Sequence, residues 1–172
     1  MLANSGGSAV IYKYVELLQK QGHSIIVYRP ILAFNSRRYS SKVINYIHRL
    51  YCTCKSIRKV FTKNSAVDKY IPTVKNMFIR DADIVMATSW PTSFSVNKLS
   101  DCKGEKIYFV QDFEIWDNKK YGLKSYMLPL KKIVISTWIN MQLKEYLNLG
   151  PFPIVFNGID IKKFNNPNKR HK

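Results

Sequence analysis

The feature that most constrains this chain is a series of short, continuous apolar runs separated by stretches with helical periodicity. The runs lie at residues 24–29, 83–88, 106–110, 132–136 and 153–156. Strands have continuous apolar sequences of this kind when helices cover both faces of a parallel sheet, because neither face of such a sheet contacts water. Helical patterns fit between the runs, at 8–21, 92–99, 123–130 and 137–149. This alternation predicts an α/β fold with a Rossmann-like, doubly wound and mainly parallel sheet.

The chain opens almost directly on a glycine pair, Gly6 and Gly7, that precedes the first helical pattern. In a doubly wound sheet a loop of this kind usually follows a central strand, so we expect the first strand to be missing. Residues 1–160 have a length that suits one domain. Residues 161–172 are mostly polar, and we expect them to be a tail or the start of a linker.

Positive charge is concentrated in one quarter of the chain. The 172 residues include 28 Lys and Arg against 11 Asp and Glu, a net charge of +17. Residues 37–80 alone hold eleven cations and a single anion, Asp68. Apolar residues recur there at intervals of three and four, which predicts a long amphipathic helix over about 40–63. Five cations are assigned to its basic face: Arg49, Lys55, Arg58, Lys59 and Lys63.

Three interpretations of this basic helix stay open. It could lie on anionic lipid headgroups, where each Lys or Arg contributes on the order of 1 kcal/mol. It could be a solvated face on a core helix, or it could face a nucleic acid backbone. Nucleic acid is the weakest of the three, because the sequence carries no recognition motif for it.

Several classes of protein are not expected. No apolar run approaches the roughly 18 residues that cross a bilayer, and the first residues do not resemble a signal peptide. Three cysteines, Cys52, Cys54 and Cys102, indicate free thiols in a reducing compartment. The three histidines are scattered, so no set of about four ligands for a metal site is apparent, and we expect no metal.

Candidate site residues follow the strands, at the sheet edge where open α/β folds bind ligands. Gly6 and Gly7 before a helix could hold an anion, or form a flexible loop. Asp112 and Glu114 follow the run that ends at Val110, and either carboxylate could act as a base or bind sugar hydroxyls. Alternatively, these acids cap a helix or pair with nearby lysines. The hydroxyls of residues 88–92 could line a cleft, although helix capping is the favoured interpretation.

Taken together, these segments resemble the N-terminal half of family-4 glycosyltransferases of the GT-B fold, which transfer sugars from nucleotide-sugar donors. The resemblance rests on four segments: Gly6-Gly7 with 21–27, 83–92, 108–114, and 133–137 leading to 155–164. The most specific is the Val-Phe-Asn-Gly-Ile-Asp run at 155–160. The Gln-Asp-Phe-Glu form at 111–114 is similar to rhamnan-type and other cell-surface polysaccharide transferases.

The resemblance implies roles for particular residues. Gly6 and Gly7 would approach the donor phosphates, and an acceptor pocket would involve Ser89, Trp90, Gln111, Asn157 and Gly158. Many family members carry a histidine where this sequence has Gln111, and a glutamine cannot act as a general base. The role of base would then pass to Asp112 or Glu114. The resemblance also implies peripheral membrane binding through a basic helix, which agrees with the charge pattern at 40–63.

The resemblance further implies a glycan or lipid-linked acceptor and a cytoplasmic location, with peripheral attachment to the inner membrane face. The donor-binding domain of the family would begin after Phe164 and is not in this sequence, so we expect a truncated half that binds no nucleotide sugar by itself. The complete enzyme would use a nucleotide-sugar donor. A basic membrane or nucleic-acid binding module and a non-functional gene fragment are the alternatives.

Overall fold

The computed structural model describes residues 6–32, 39–62 and 67–158. Five strands lie in these ranges: β1 (Val27–Pro30), β2 (Asp68–Ile71), β3 (Ile84–Ala87), β4 (Glu105–Val110) and β5 (Lys131–Val134). The α-helices there are α1 (Gly6–Lys20), α2 (Lys42–Thr62), α3 (Trp90–Asn97), α4 (Lys119–Tyr126) and α5 (Thr137–Leu147). Strands and helices therefore alternate, as the apolar runs predict.

The described strands form two small parallel sheets. β1 pairs with β2, with Val27 opposite Asp68, and β4 lies between β3 and β5. The α/β class and the parallel direction of the strands are confirmed. The sequence predicts one open sheet, whereas the described part of the chain has a two-stranded and a three-stranded sheet.

Two further differences concern individual strands. The polar residues of β2, which begins at Asp68, gave no apolar run, and this strand was not predicted. Conversely, the run at 153–156 forms only an isolated parallel bridge between Ile154 and Val134. A proline has no N–H to donate to a ladder, and the backbone at Pro151 and Pro153 therefore limits pairing in this run.

Local sequence explains where the helices begin and end. The carboxamide of Asn118 accepts from Tyr121 N–H at 3.3 Å and caps α4, and the Ser136 hydroxyl does the same for Ile139 N–H on α5. α5 ends at Leu147, and the next residue, Asn148, has a left-handed φ of 55°. Asparagine tolerates this conformation better than most residues, which is why the helix can stop there.

Helices cover both faces of the larger sheet. On one face, Tyr108 and Val110 of β4 are fully buried with Trp90, Tyr126 and Leu143 from α3, α4 and α5. On the other face, the ring of Tyr14 in α1 packs edge-on against Phe109, with 5.7 Å between ring centroids. Burial of these large side chains is the main stabilising contribution, because hydrophobic free energy scales with the apolar area removed from water.

The predicted basic helix at 40–63 is confirmed as α2, but its apolar stripe is not packed against a core. Val43, Ile47, Leu50 and Ile57 are all exposed, with Val43 at 67%. A core helix buries such a stripe. The solvated-face interpretation, in which the apolar side of this helix joins the core, therefore does not fit.

Gly104 provides a test of the turn that leads into β4. Its φ is +92°, and a Cβ there would lie 2.4 Å from the carbonyl oxygen of Ala82. We expect Gly104→Ala to lower the free energy of unfolding by more than about 1 kcal/mol, because both the backbone angle and the clash oppose it. Urea unfolding measures this loss. Gly6→Ala, where a Cβ meets nothing within 4 Å, is the control, and equal stability of the two variants would contradict the expectation.

Candidate functional site

The candidate site is the rim formed where the loops after β3 and β4 meet the first turn of α1. A Cβ on Gly7 would lie 3.5 Å from Oε1 of Gln111, so the start of α1 lies directly beside the residue that follows β4. The first N–H of α3, from Trp90, donates to Oε2 of Glu114 at 2.5 Å. Three segments far apart in sequence are thereby brought together at the carboxyl end of the sheet.

Glu114 is buried at the centre of this rim, only 6% exposed. Its Oε2 also accepts from the hydroxyl of Tyr108 at 2.6 Å, and its backbone N–H donates to the hydroxyl of Tyr126 at 2.6 Å. The rings of Tyr108 and Tyr126 stack with 5.7 Å between centroids. Glu114 thus links the end of β4 and the start of α3 through its carboxylate, and the helix α4 through its backbone N–H.

Burial raises the pKa of Glu114 to about 7, against the hydrogen bonds from Tyr108 and Trp90, which lower it. Desolvation dominates because the ionised carboxylate loses more hydration free energy on leaving water than the protonated carboxyl group does. Burial also raises the pKa of Tyr108 and Tyr126, so both remain neutral donors. The alternative in which one of these acids caps a helix fits Glu114, because its side chain accepts from the first N–H of α3.

Asp112 has the opposite environment, because its side chain is exposed on the rim. Its Oδ1 accepts from the N–H of Phe113 at 2.8 Å, which fixes the carboxylate orientation. Beside it, Oε1 of Gln111 is buried and accepts no hydrogen bond from the described residues. Of the two carboxylates that the sequence singles out, Asp112 is the one that a ligand in solvent can reach.

Ser89 and Trp90 lie at the start of α3. Ser89 occupies the N-cap position, and its N–H donates to the Thr92 hydroxyl at 3.2 Å, so the favoured capping interpretation agrees with the structure. The Trp90 side chain is fully buried, and its ring lies 5.6 Å from that of Trp116, which is partly exposed. A ligand on the rim would therefore contact Trp116 before Trp90. Sequence reasoning did not include Trp116 among the site residues.

The remaining predicted site residues are exposed. Gly6 begins α1 next to Gly7. Asn157 and Gly158 follow a segment whose Phe156 carbonyl accepts from the hydroxyl of Tyr14 at 3.3 Å, which places this segment beside α1.

A cavity of about 260 Å³ lies next to the rim, between α1, β1 and the start of α3, and its lining includes Ser8, Thr88 and Thr92. Its wall also contains Tyr12 and Arg29, which form a polar cluster with Asp68 that sequence reasoning missed. Nε of Arg29 lies 3.0 Å from Oδ1 of Asp68, and the Tyr12 hydroxyl bonds to both side chains.

Burial and the hydrogen bond to Asp68 raise the pKa of Tyr12. The single acidic residue in the basic quarter of the chain was the available signal for this cluster. Its isolation among eleven cations does not name a partner, because Asp68 reaches Arg29 only through the pairing of β2 with β1.

The predicted basic face is described only in part. Arg49 and Lys55 of α2 are exposed. Arg58 and Lys59 belong to the α2 backbone, but their side chains lie outside the described residues, as does Lys63 altogether. Within the described ranges, no helix is long and apolar enough to cross a membrane. The same ranges contain no group of three His, Cys, Asp or Glu side chains that could hold a metal ion.

Comparison with known proteins identifies no relative. No family model, no curated protein and no solved structure matches this chain. The class that the structure itself defines is an α/β protein with parallel strands and a polar rim at their carboxyl end.

Glu114 makes stability depend on pH with a definite sign. Its pKa is about 7 in the folded protein and near 4.3 when unfolded, so the folded state holds the proton more tightly. We expect the free energy of unfolding to fall as pH rises from about 4.5 to 7, by up to roughly 3 kcal/mol, and to level off above. Urea unfolding of Glu114→Gln across this range should lack the slope, while Glu145→Gln, at an exposed site, should keep it. A slope of equal size in both variants would contradict the assignment.

Proposed function

We propose that this chain is the acceptor-binding half of a glycosyltransferase, which holds a glycan or lipid-linked acceptor while a sugar is transferred from a nucleotide-sugar donor. The observation that supports it is the rim itself, where Gly7, Gln111 and the N-terminus of α3 converge at the carboxyl end of parallel strands. Open α/β sheets bind ligands at this edge. A sheet with these segments at opposite ends would not have supported the proposal.

The chemistry of the rim suits a carbohydrate. Asp112 offers an exposed carboxylate oriented by the Phe113 N–H, and Trp116 offers a partly exposed aromatic face. Sugars present hydroxyl donors to the first and C–H faces to the second. In this proposal Asp112 binds or deprotonates the acceptor hydroxyl, while the buried Glu114 holds the segments of the rim together.

In this proposal the nucleotide-sugar donor is bound by a separate domain. The N-terminus of α1, which carries a partial positive charge, would approach the donor phosphates through Gly6 and Gly7. Because the role proposed for these residues is acceptor binding, we expect residues 1–172 by themselves to bind acceptor without turnover.

Acceptor binding is testable by saturation-transfer NMR with rhamnose- and hexose-containing oligosaccharides, combined with backbone amide shifts. We expect one class of oligosaccharide to bind and to shift the amides of Gly7, Gln111 and Asp112. Asp112→Asn should weaken binding about tenfold, because a hydrogen bond to a charged group contributes roughly 1.5–3 kcal/mol.

The matched control is Asp101→Asn. Asp101 is an exposed carboxylate that pairs with Lys106 at 3.2 Å and lies before β4, at the other end of the strand. The Asp101→Asn variant should bind oligosaccharide as tightly as the unmodified chain does. Shifts confined to residues away from the rim, or equal losses in both variants, would overturn the proposal.

A second function, peripheral attachment to an anionic membrane, is favoured by one observation. The apolar stripe of α2 is exposed, and Lys42, Arg49 and Lys55 are exposed on the same helix, which has no acidic residue. A helix with this distribution can bury its stripe among acyl chains while its cations meet lipid headgroups. We propose that α2 holds the protein at such a surface, which would bring the rim near a lipid-linked acceptor.

Vesicle co-sedimentation tests this attachment. We expect Arg49→Glu with Lys55→Glu to weaken binding to phosphatidylglycerol vesicles at least tenfold, since each cation near the surface contributes about 1 kcal/mol and reversal adds repulsion. The control reverses Lys13 and Lys144, two exposed cations on α1 and α5. If both double variants lose binding equally, the attraction comes from net charge alone and not from α2.

A further inference from the structure

The cavity beside the rim has a wall that is rich in hydroxyl groups. Seven of the eleven described residues that line it are Ser, Thr or Tyr, and Ile11 and Val27 add apolar surface. A sugar ring presents hydroxyls at its edge and C–H groups on its faces, so it can use both kinds of surface. Pockets for drug-sized ligands measure roughly 300–1,000 Å³. The volume of about 260 Å³ therefore suits a smaller ligand, such as a single sugar ring.

Among the described lining residues, Arg29 is the one with a charged side chain. Its side chain is 29% exposed, whereas its partner Asp68 is only 3% exposed and does not line the cavity. Nε of Arg29 lies 3.0 Å from Oδ1 of Asp68, and Nη2 donates to the Tyr12 hydroxyl. One edge of the guanidinium is thus held by an ion pair and a hydrogen bond, which fix its orientation.

The other edge of this guanidinium is available to a ligand. A guanidinium has five N–H donors, and Nη1 of Arg29 makes no hydrogen bond to a described residue. Nη1 and the second N–H of Nη2 together form a pair of parallel donors. Such a pair matches the two oxygens of a carboxylate or a phosphate, so the cavity offers an anion a site that is already oriented.

The sequence outside the described ranges provides few carboxylates that could occupy this site. Residues 1–5, 33–38 and 63–66 contain no Asp or Glu, and 159–172 contain a single one, Asp160. The hydroxyl-rich wall would also remain unused by a lone carboxylate side chain. Both observations favour a separate ligand that carries hydroxyls and an anionic group together.

We propose that this cavity binds one acidic sugar unit, a hexuronate or a sugar phosphate, with Arg29 on the anionic group and the hydroxyl wall on the ring. The inference rests on the proposed acceptor-binding function. Ser8 of the cavity follows Gly7 of the rim, and Thr88 precedes Ser89. A glycan that reaches Asp112 can therefore place its acidic unit next to the rim, and Arg29 makes the acceptor site specific for acidic glycans.

Backbone amide NMR titrations of the full chain test this inference. The probes are glucuronate, galacturonate, glucose 6-phosphate, glucose and inorganic phosphate. We expect at least one acidic sugar to shift the amides of Ser8, Arg29 and Thr88, and to bind at least tenfold more tightly than glucose or inorganic phosphate. The tightest probe identifies the anionic group. Equal binding of glucose would overturn the inference, and equal binding of inorganic phosphate would reduce the cavity to an anion site and also overturn it.

Two variants examine the two parts of the cavity. Arg29→Gln combined with Asp68→Asn removes both charges, so neither is left buried without its partner. Binding of the acidic sugar should then fall at least tenfold, to the level of glucose. Thr88→Val keeps the ion pair and nearly the same side-chain volume, and it should weaken the acidic sugar about fivefold through loss of one hydrogen bond. If the double variant does not fold, Thr88→Val and the glucose comparison still decide the question.

The matched control is Arg80→Gln. Arg80 is exposed, and its guanidinium donates to Ser24 O at 2.6 Å, away from the cavity. This variant should bind the acidic sugar as the unmodified chain does, and an equal loss would show attraction by net charge alone and overturn the inference. Asp160→Asn should also leave binding unchanged. A gain of tenfold or more in that variant would show that the chain's own carboxylate occupies the site, which would overturn the inference too.

Failure of this inference is distinguishable from failure of the proposed function. Neutral oligosaccharides that shift Gly7, Gln111 and Asp112, while no acidic sugar shifts Ser8, Arg29 and Thr88, would overturn the acidic-unit site and leave acceptor binding supported. Binding of an acidic sugar in the cavity without any oligosaccharide at the rim would support the site and contradict the acceptor-binding function.

Discussion

The hydrogen bonds of Glu114 are the interactions on which the rest of the rim depends. Its carboxylate accepts from the first N–H of α3 and from the Tyr108 hydroxyl inside the core, while the backbone N–H of Glu114 donates to the Tyr126 hydroxyl on α4. A buried carboxylate is costly unless donors surround it. Because the three partners of this residue come from different elements, satisfying its side chain and its backbone N–H fixes where β4, α3 and α4 lie relative to one another.

This constraint leaves the neighbouring carboxylate free for another role. Asp112 is two residues away, yet it is exposed. The chain bends at Asp112, and Phe113 is buried with its ring 5.8 Å from that of Tyr126. One acid therefore holds the rim in place and the other faces solvent. Glycan binding through Asp112 and membrane contact through α2 remain proposals that use separate surfaces of the same fold.

The charged residues of the basic quarter of the chain fall into two groups, one paired inside the fold and one exposed to solvent. Asp68, the single anion of residues 37–80, is paired inside the fold with Arg29 of β1 and Tyr12 of α1, so it neutralises none of the cations of that range. The cations of α2 whose side chains the structure describes stay in solvent beside an exposed apolar stripe. Charge that is paired inside the fold connects β1 to β2, while charge left outside remains available to a partner.

The sequence by itself determined the α/β class, the parallel strands β1, β3, β4 and β5, and every described α-helix to within about four residues, because apolar periodicity and helix caps are local signals. It did not determine β2, whose residues Asp68 to Ile71 become a strand only through pairing with β1. Nor could it separate Glu114 from Asp112, since burial depends on Tyr108, Trp90 and Tyr126, which lie elsewhere in the chain. The division into two sheets was likewise decided by tertiary structure, because a strand edge is paired or unpaired only in three dimensions.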